Sequence, residues 1–203
     1  MQKLPKPTEK KKKAEIKTPA LETQRLILKE VNPKIADELF TTLSDNELMT
    51  FFGFTDPDDL RLEKFKWQNG MTTYRMTYKR FFLTEKATGK VFGSCSLHNW
   101  YPEHRRSELG YDINDETMKN KGFMKEAVKT VLTFGFEKMG LNRVEAFIGP
   151  ANEPSLRIAN RLGFTEEGRL REHYNKDGEL QDSIVFGLLK PEYEKVKKTW
   201  TKE

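Results

Sequence analysis

The chain has 203 residues, 36% of them hydrophobic and 33% charged, which suits one domain with a hydrophobic core of its own. No apolar run approaches the ~20 residues that cross a bilayer, no charged start leads into a secretory-type apolar stretch, and the single cysteine, Cys95, cannot form an internal disulfide, so a reducing, cytoplasmic setting is expected. The net charge of +5 resides in residues 1–20, with seven lysines and two glutamates; the remainder holds 29 basic and 29 acidic residues, so nucleic-acid or anionic-surface contact is expected only through that flexible Lys-rich tail.

Leu26-Ile27-Leu28, within Arg25 to Val31, reads as a first strand closed by Asn32-Pro33. Ile35 to Leu43 has helical spacing, Ser44-Asp45 caps a further short helix, and Asp56-Pro57 starts another that should end near Asn69-Gly70. Arg80 to Glu85 and Val91 to Leu97 form a hairpin about Ala87-Thr88-Gly89-Lys90. His98 to His104 is expected to be a loop, and Arg106 to Ile113 a strand. Phe123 to Met139 is a long amphipathic helix with Val128, Val131, Leu132, Phe136 and Met139 on one stripe. A strand at Arg143 to Ile148, a helix at Asn152 to Leu162 stopped by Gly163, and two strands at Phe164 to Tyr174 and Leu180 to Leu189 complete the pattern. Consecutive strands followed by a strand–helix–strand crossover predict an α+β fold with a mixed sheet, not a doubly wound parallel one. Residues 21–190 are expected to form the domain, with 1–20 a tail and 191–203 a charged extension.

Two stretches carry chemistry. Ser107 to Ile113 leads through a polar loop to Lys119-Asn120-Lys121-Gly122-Phe123-Met124-Lys125-Glu126-Ala127. A helix that opens at a glycine presents unpaired amides and a positive dipole end to a diphosphate, with lysines alongside. Ala151 to Phe164 places Asn152 as an N-cap, Pro154 in the first turn and Gly163 as a stop. Each stretch alone is also explained as ordinary helix punctuation.

Together they resemble the Gcn5-related N-acetyltransferase (GNAT) superfamily, and within it the RimJ/RimL-like ribosomal-protein branch. The resemblance rests on Glu108 to Tyr111, Gly122 to Ala127, Ala151 to Arg157, Leu162 to Phe164, Glu167-Gly168 and Leu170-Arg171, and it covers roughly Leu21 to Leu189. It implies a mixed, mostly antiparallel sheet of about seven strands with helices on both faces and a V-shaped splay between the strands at 107–113 and 143–148. The loop departs from the family at Lys119, which lacks the fork of arginine, and at Met124, bulkier than the usual glycine or alanine.

The resemblance further implies acetyl-CoA as co-substrate, with no metal. Leu109, Gly110, Tyr111 and Ile113 would pair with the pantetheine arm, and Lys119, Asn120, Lys121, Gly122, Phe123 and Met124 would hold the pyrophosphate. Asn152 would bond the cofactor arm, and Arg157 or Arg161 would approach the adenine-side phosphate. A backbone N–H near Gly110 or Tyr111 would stabilise the oxyanion, and Ser155 would give a proton to the departing thiolate. The acceptor amine must lose a proton; Glu108, directly or through water, is the first candidate base, with His104 and the cluster Glu172, His173 and Tyr174 as alternatives. Trp67 is expected in the core, while Trp100 and Tyr101 could equally line an acceptor cleft. His98, His104 and Cys95 lack metal-site spacing. The expected activity is acetylation of a protein N-terminal amine, such as that of a ribosomal protein, by a monomer or homodimer. Open alternatives are a small amine (polyamine, amino acid or antibiotic) as acceptor, a non-catalytic acyl-CoA binder, or a ribosome- or RNA-binding protein.

Overall fold

The computed structural model describes residues 16–68 and 77–200. The elements in chain order are β1 (Ala20–Glu22), β2 (Leu26–Val31), α1 (Pro33–Thr42), α2 (Asp45–Phe52), α3 (Pro57–Gln68), β3 (Thr77–Glu85), β4 (Val91–Tyr101), β5 (Arg106–Ile113), α4 (Phe123–Glu137), β6 (Arg143–Ile148), α5 (Glu153–Arg161), β7 (Thr165–Lys176), β8 (Glu179–Leu189) and α6 (Lys190–Trp200). They build one eight-stranded sheet in the order β1-β2-β3-β4-β5-β6-β8-β7. Only β5 and β6 run parallel, because α4 carries the chain across between them. The fold is therefore α+β with a mostly antiparallel sheet, as expected.

Side-chain alternation sorts the sheet into two faces. Leu26, Leu28, Phe81, Leu83, Cys95, Leu97 and Leu109 turn to one side, where Val128, Val131, Leu132 and Phe136 of α4 complete the main core. Val31 and Phe82 turn to the other, where Ile35, Leu39, Leu48, Phe52 and Leu60 of α1, α2 and α3 form a second core. Helix starts follow local chemistry: the Asn32 side chain accepts from the Ile35 N–H at 3.1 Å with Pro33 in the first turn, and the Ser44 N–H donates to Glu47 at 2.9 Å.

Some bounds differ from the expected ones. The sheet has eight strands, since Ala20–Glu22 adds a short edge to β2, and Ile16 packs on the second core; the ordered fold thus begins before residue 21. The 191–203 extension is, through Trp200, mostly helix α6, docked by Tyr193, which is 2% exposed. His98 to Tyr101 continue β4 rather than forming a loop, so only Pro102 to His104 turn. The expected helix end at Asn69-Gly70 lies outside the described residues, α3 being described to Gln68.

Candidate active site

The ladder between β5 and β6 holds for three residue pairs only: Arg106 with Arg143, Ser107 with Val144 and Glu108 with Glu145. Beyond Glu108 the strands part, β5 staying with β4 and β6 with β8. Leu109 to Ile113 are thereby left without a β6 partner along one edge, which is the expected splay. An unpaired edge is a template for an extended, amide-bearing ligand.

A cleft of about 580 Å³ is lined by Tyr111, Lys119, Asn120, Gly122, Ser155 and Arg157 among others. Gly122 is the N-cap of α4 at φ 78°, with no side-chain cap, so the first amides of the helix lack a substitute partner of their own chain there. A Cβ at Gly122 would meet only Arg25 Nη2, at 3.7 Å; the glycine is required by its backbone angle rather than by crowding. Arg25 reaches this turn from just before β2: its Nη1 donates to the Lys121 carbonyl at 3.2 Å and its guanidinium lies 4.4 Å from the Phe123 ring centroid. Glu126, one turn in, is engaged by Arg25 and by the Thr23 hydroxyl. Burial raises the Glu126 pKa, but these partners outweigh it and hold the carboxyl below its usual range.

A second, larger cleft of about 1450 Å³ is walled by His98, Tyr101, Arg106, Glu108, Phe147 and His173 among others. Phe147 and His173 pack with ring centroids 5.0 Å apart, and the Arg106 guanidinium lies 4.3 Å from the Tyr101 centroid. Tyr111, Asn152, Pro154 and Ser155 line both clefts, which therefore meet at the start of α5. There the Asn152 side chain caps the Ser155 N–H at 3.3 Å, and Ser155 acts on the Tyr111 hydroxyl, lowering its pKa. Burial pushes the Tyr111 hydroxyl above its usual pKa, only partly offset by Ser155, so the phenol keeps its proton. Glu108 is fixed by Asn99 Nδ2 on Oε2 at 2.8 Å and by His98 Nε2 on Oε1 at 3.2 Å. Burial raises its pKa, yet the His98 and Asn99 contacts prevail and keep the carboxyl below the usual range.

Of the residues singled out from the sequence, Tyr111, Ile113, Lys119, Asn120, Gly122, Phe123, Met124, Asn152, Ser155, Arg157 and Arg161 line the first cleft, and Glu108, Leu109 and Gly110 line the second. Lys121 lines neither; its carbonyl serves Arg25. Lys119 is ion-paired to Glu116, and the bulk of Met124 is absorbed by the main core, leaving it 6% exposed. His104 and Glu172 are exposed and line neither cleft, Glu172 being a turned residue at φ 51° whose N–H bonds Asp182. Tyr101, His173 and Tyr174 do line the second cleft, whereas Trp100 packs on the main core. Trp67 stacks on Phe40 at 4.9 Å and donates to Asp37 at 2.8 Å. Cys95 is fully buried. Sequence reasoning missed Arg25, His98 and Asn99. The signal for His98 was the alternation of Ser94, Ser96 and His98 with Cys95 and Leu97, which runs on past Leu97. Among the described residues, no helix is long and apolar enough to cross a membrane and no cluster of metal-ligating side chains occurs.

The family model described as an acetyltransferase (GNAT) domain matches residues 25–165. The chain is 35% identical over 176 residues to "Uncharacterized N-acetyltransferase p20" of Bacillus licheniformis, covering 85% of this chain and 97% of the relative. It is 28% identical over 115 residues to the spermidine N(1)-acetyltransferase of Escherichia coli, covering 57% and 61%. A solved Vibrio cholerae structure, described as "a putative ribosomal-protein-serine acetyltransferase", is 25% identical with a TM-score of 0.58, over 84% of this chain and 97% of that one. The chain belongs to the GNAT acetyltransferase family and is an N-acetyltransferase, with relatives consistent with the RimJ/RimL-like branch.

Proposed function

We propose that the enzyme moves an acetyl group from acetyl-CoA to a protein N-terminal amine of the ribosomal-protein kind, by direct attack in a ternary complex. The observation that carries this reading is the meeting of two clefts at Tyr111, Asn152, Pro154 and Ser155. A donor in one cleft and an acceptor in the other would meet there and need no covalent relay, and the single cysteine is buried and lines neither cleft.

The residues fit the co-substrate. The uncapped turn at Gly122 suits a diphosphate, Arg157 and Arg161 lie along the same cleft, and the open edge of β5 suits the amide-bearing arm. When bound, acetyl-CoA supplies the activated acetyl thioester. Glu108 accepts the proton that the acceptor ammonium must lose before its nitrogen has a lone pair. Ser155, backed by the protonated Tyr111 hydroxyl, provides a proton on the leaving-group side.

The volume of the second cleft, about 1450 Å³ against the roughly 300–1,000 Å³ usual for small-molecule sites, supports a polypeptide acceptor. The likeness to the spermidine enzyme keeps a polyamine as the competing acceptor. The discriminating experiment offers purified enzyme and acetyl-CoA to peptides beginning with Ser or Ala and to spermidine, reading free thiol and the mass of the product. Peptides acetylated at the α-amine at least tenfold more efficiently than spermidine support the proposal. The reverse order overturns the peptide acceptor, and no turnover with any amine overturns the catalytic reading.

A further inference from the structure

In a regular strand, neighbouring side chains point to opposite faces. His98 and Asn99 are neighbours on β4, yet both reach the same carboxylate. The cause is a break in the ladder. His98 pairs with Glu108 and Tyr101 with Arg106, so Asn99 and Trp100 oppose the single residue Ser107. Asn99 takes φ 46° to absorb the extra residue, a left-handed angle that asparagine tolerates better than most. Ser107 is fully buried, and its hydroxyl donates to the His98 carbonyl at 2.7 Å, tying down the bulge.

The His98 ring is seated from behind. Its Nδ1 lies 3.2 Å from Ser96 Oγ, and its Cε1 lies 2.7 Å from where a Cβ on Gly110 would be. Any larger residue at 110 would displace the ring. Ser96 Oγ is also 3.3 Å from the Gly110 carbonyl. Its hydroxyl can thus donate to Nδ1 of a neutral imidazole, or turn to that carbonyl and accept from an imidazolium. Of the carboxylates lining this cleft, Glu145 is paired with Arg106 and Arg143, and Asp182 with Arg169. Among the described residues Glu108 makes no lysine or arginine ion pair, so its charge is left for the acceptor ammonium.

We infer that His98 and Asn99 are positioning residues for the reaction: the β4 bulge turns both onto one face so that they hold the two oxygens of Glu108 in place at the acceptor amine. The inference rests on the reading of Glu108 as base, and its test separates the two. The groups facing Glu108 are His98 and Asn99 from β4, the paired Arg106 and Glu145 beside it on β5 and β6, and, more distantly, His173 from β7. Removing a donor from a part-buried carboxylate raises its pKa, because burial then acts less opposed.

The experiment follows the Glu108 side-chain carboxyl by carbon NMR in protein labelled at glutamate, the signal being identified by its loss in Glu108→Gln. The Glu108 midpoint should move to higher pH in His98→Ala and in Asn99→Gly, which keeps the left-handed backbone, and should return toward the native value in His98→Gln, which restores a donor. In parallel, kcat and KM are measured with acetyl-CoA and a Ser-initiated peptide or spermidine. Both variants should lose about tenfold or more in kcat with little change in KM for acetyl-CoA. A Glu108 midpoint unmoved by either variant overturns the positioning role. Full turnover by Glu108→Gln overturns instead the reading of Glu108 as base, whatever the NMR shows.

Discussion

Arg25, just before β2, holds Glu126, in the first turn of α4, through Nε and Nη2, each 2.6 Å from the same carboxylate oxygen. The two residues are 101 positions apart. Their pairing fixes the turn around Gly122 to the sheet and neutralises the one acid in the first turn of α4, so the helix start can attract an anion. Arg25→Ala should weaken acetyl-CoA binding by about three- to tenfold, since the guanidinium is partly exposed and its pairing partly screened. The double variant with Glu126→Gln should recover part of that loss, because the uncompensated acid is gone; calorimetric titration of the four proteins checks the coupling. The pH dependence has a definite sign. The depressed Glu126 pKa means its contribution to stability is present above the unfolded carboxylate value, about 4.3, and is lost as pH falls through the lower folded value. Glu126→Gln should therefore flatten the acid-side fall in Tm.

Acetyl-CoA itself should stabilise the fold, because a ligand bound only by the native state shifts the equilibrium toward it. At a hundredfold excess over Kd this amounts to about 2.7 kcal/mol, or roughly 5–11 °C in Tm for a chain of this size. Gly122→Ala should lower the Tm of the free protein, costing about 1 kcal/mol from its φ of 78°, and should shrink the ligand-induced rise. Thermal melts with and without acetyl-CoA measure both; an undiminished rise in the variant would detach the Gly122 turn from the binding site.

Ser155 stands where the clefts join, with Tyr111 at its side chain and Asn152 at its amide. Ser155→Ala should lower kcat by about 10–100-fold while leaving acetyl-CoA affinity within about twofold. Asn152→Ala should act differently, through loss of a helix cap worth about 1 kcal/mol, so its Tm falls together with its affinity. Steady-state kinetics and melts on the two variants separate the roles; an unchanged kcat in Ser155→Ala removes the serine from proton delivery.

What could be read from the sequence was what short-range pattern encodes. The amphipathic stripe of α4, the cap at Asn152 and the glycine opening at 122 are local signals, and the corresponding elements match closely. The clamp on Glu108 was not legible, because it depends on a ladder break that shifts two residues of β4 against one of β5. Nothing in the order His98-Asn99-Trp100 announces that register. Arg25 was unreadable for a similar reason: its partner lies 101 residues away, brought close only when β2 and α4 dock. His104 and Glu172 had suitable chemistry, but a turn and a strand bulge carry them away from the clefts.

The C-terminal helix was overlooked because its composition is dominated by lysine and glutamate, with few apolar residues to set a stripe. Its anchorage centres on Tyr193, which is 2% exposed. The Tyr193 ring stacks on Phe136 of α4 with centroids 4.5 Å apart, its edge meets Trp200, and its hydroxyl donates to Glu137 at 2.8 Å. Lys197 closes on the same Glu137, so one carboxylate gathers two groups of α6 onto the last turn of α4. Tyr193→Ala should cost about 3–5 kcal/mol, as for other buried aromatic truncations, and lower Tm by roughly 6–20 °C. Tyr193→Phe removes only the hydroxyl bond and should cost about 1 kcal/mol. Since α4 also carries the Gly122 turn at its other end, Tyr193→Ala should retain acetyl-CoA binding at temperatures where it remains folded. Melts of both variants, with binding measured well below the lower Tm, test this: equal losses in the two would mean that the ring packing contributes little and that α6 is held by its polar contacts alone.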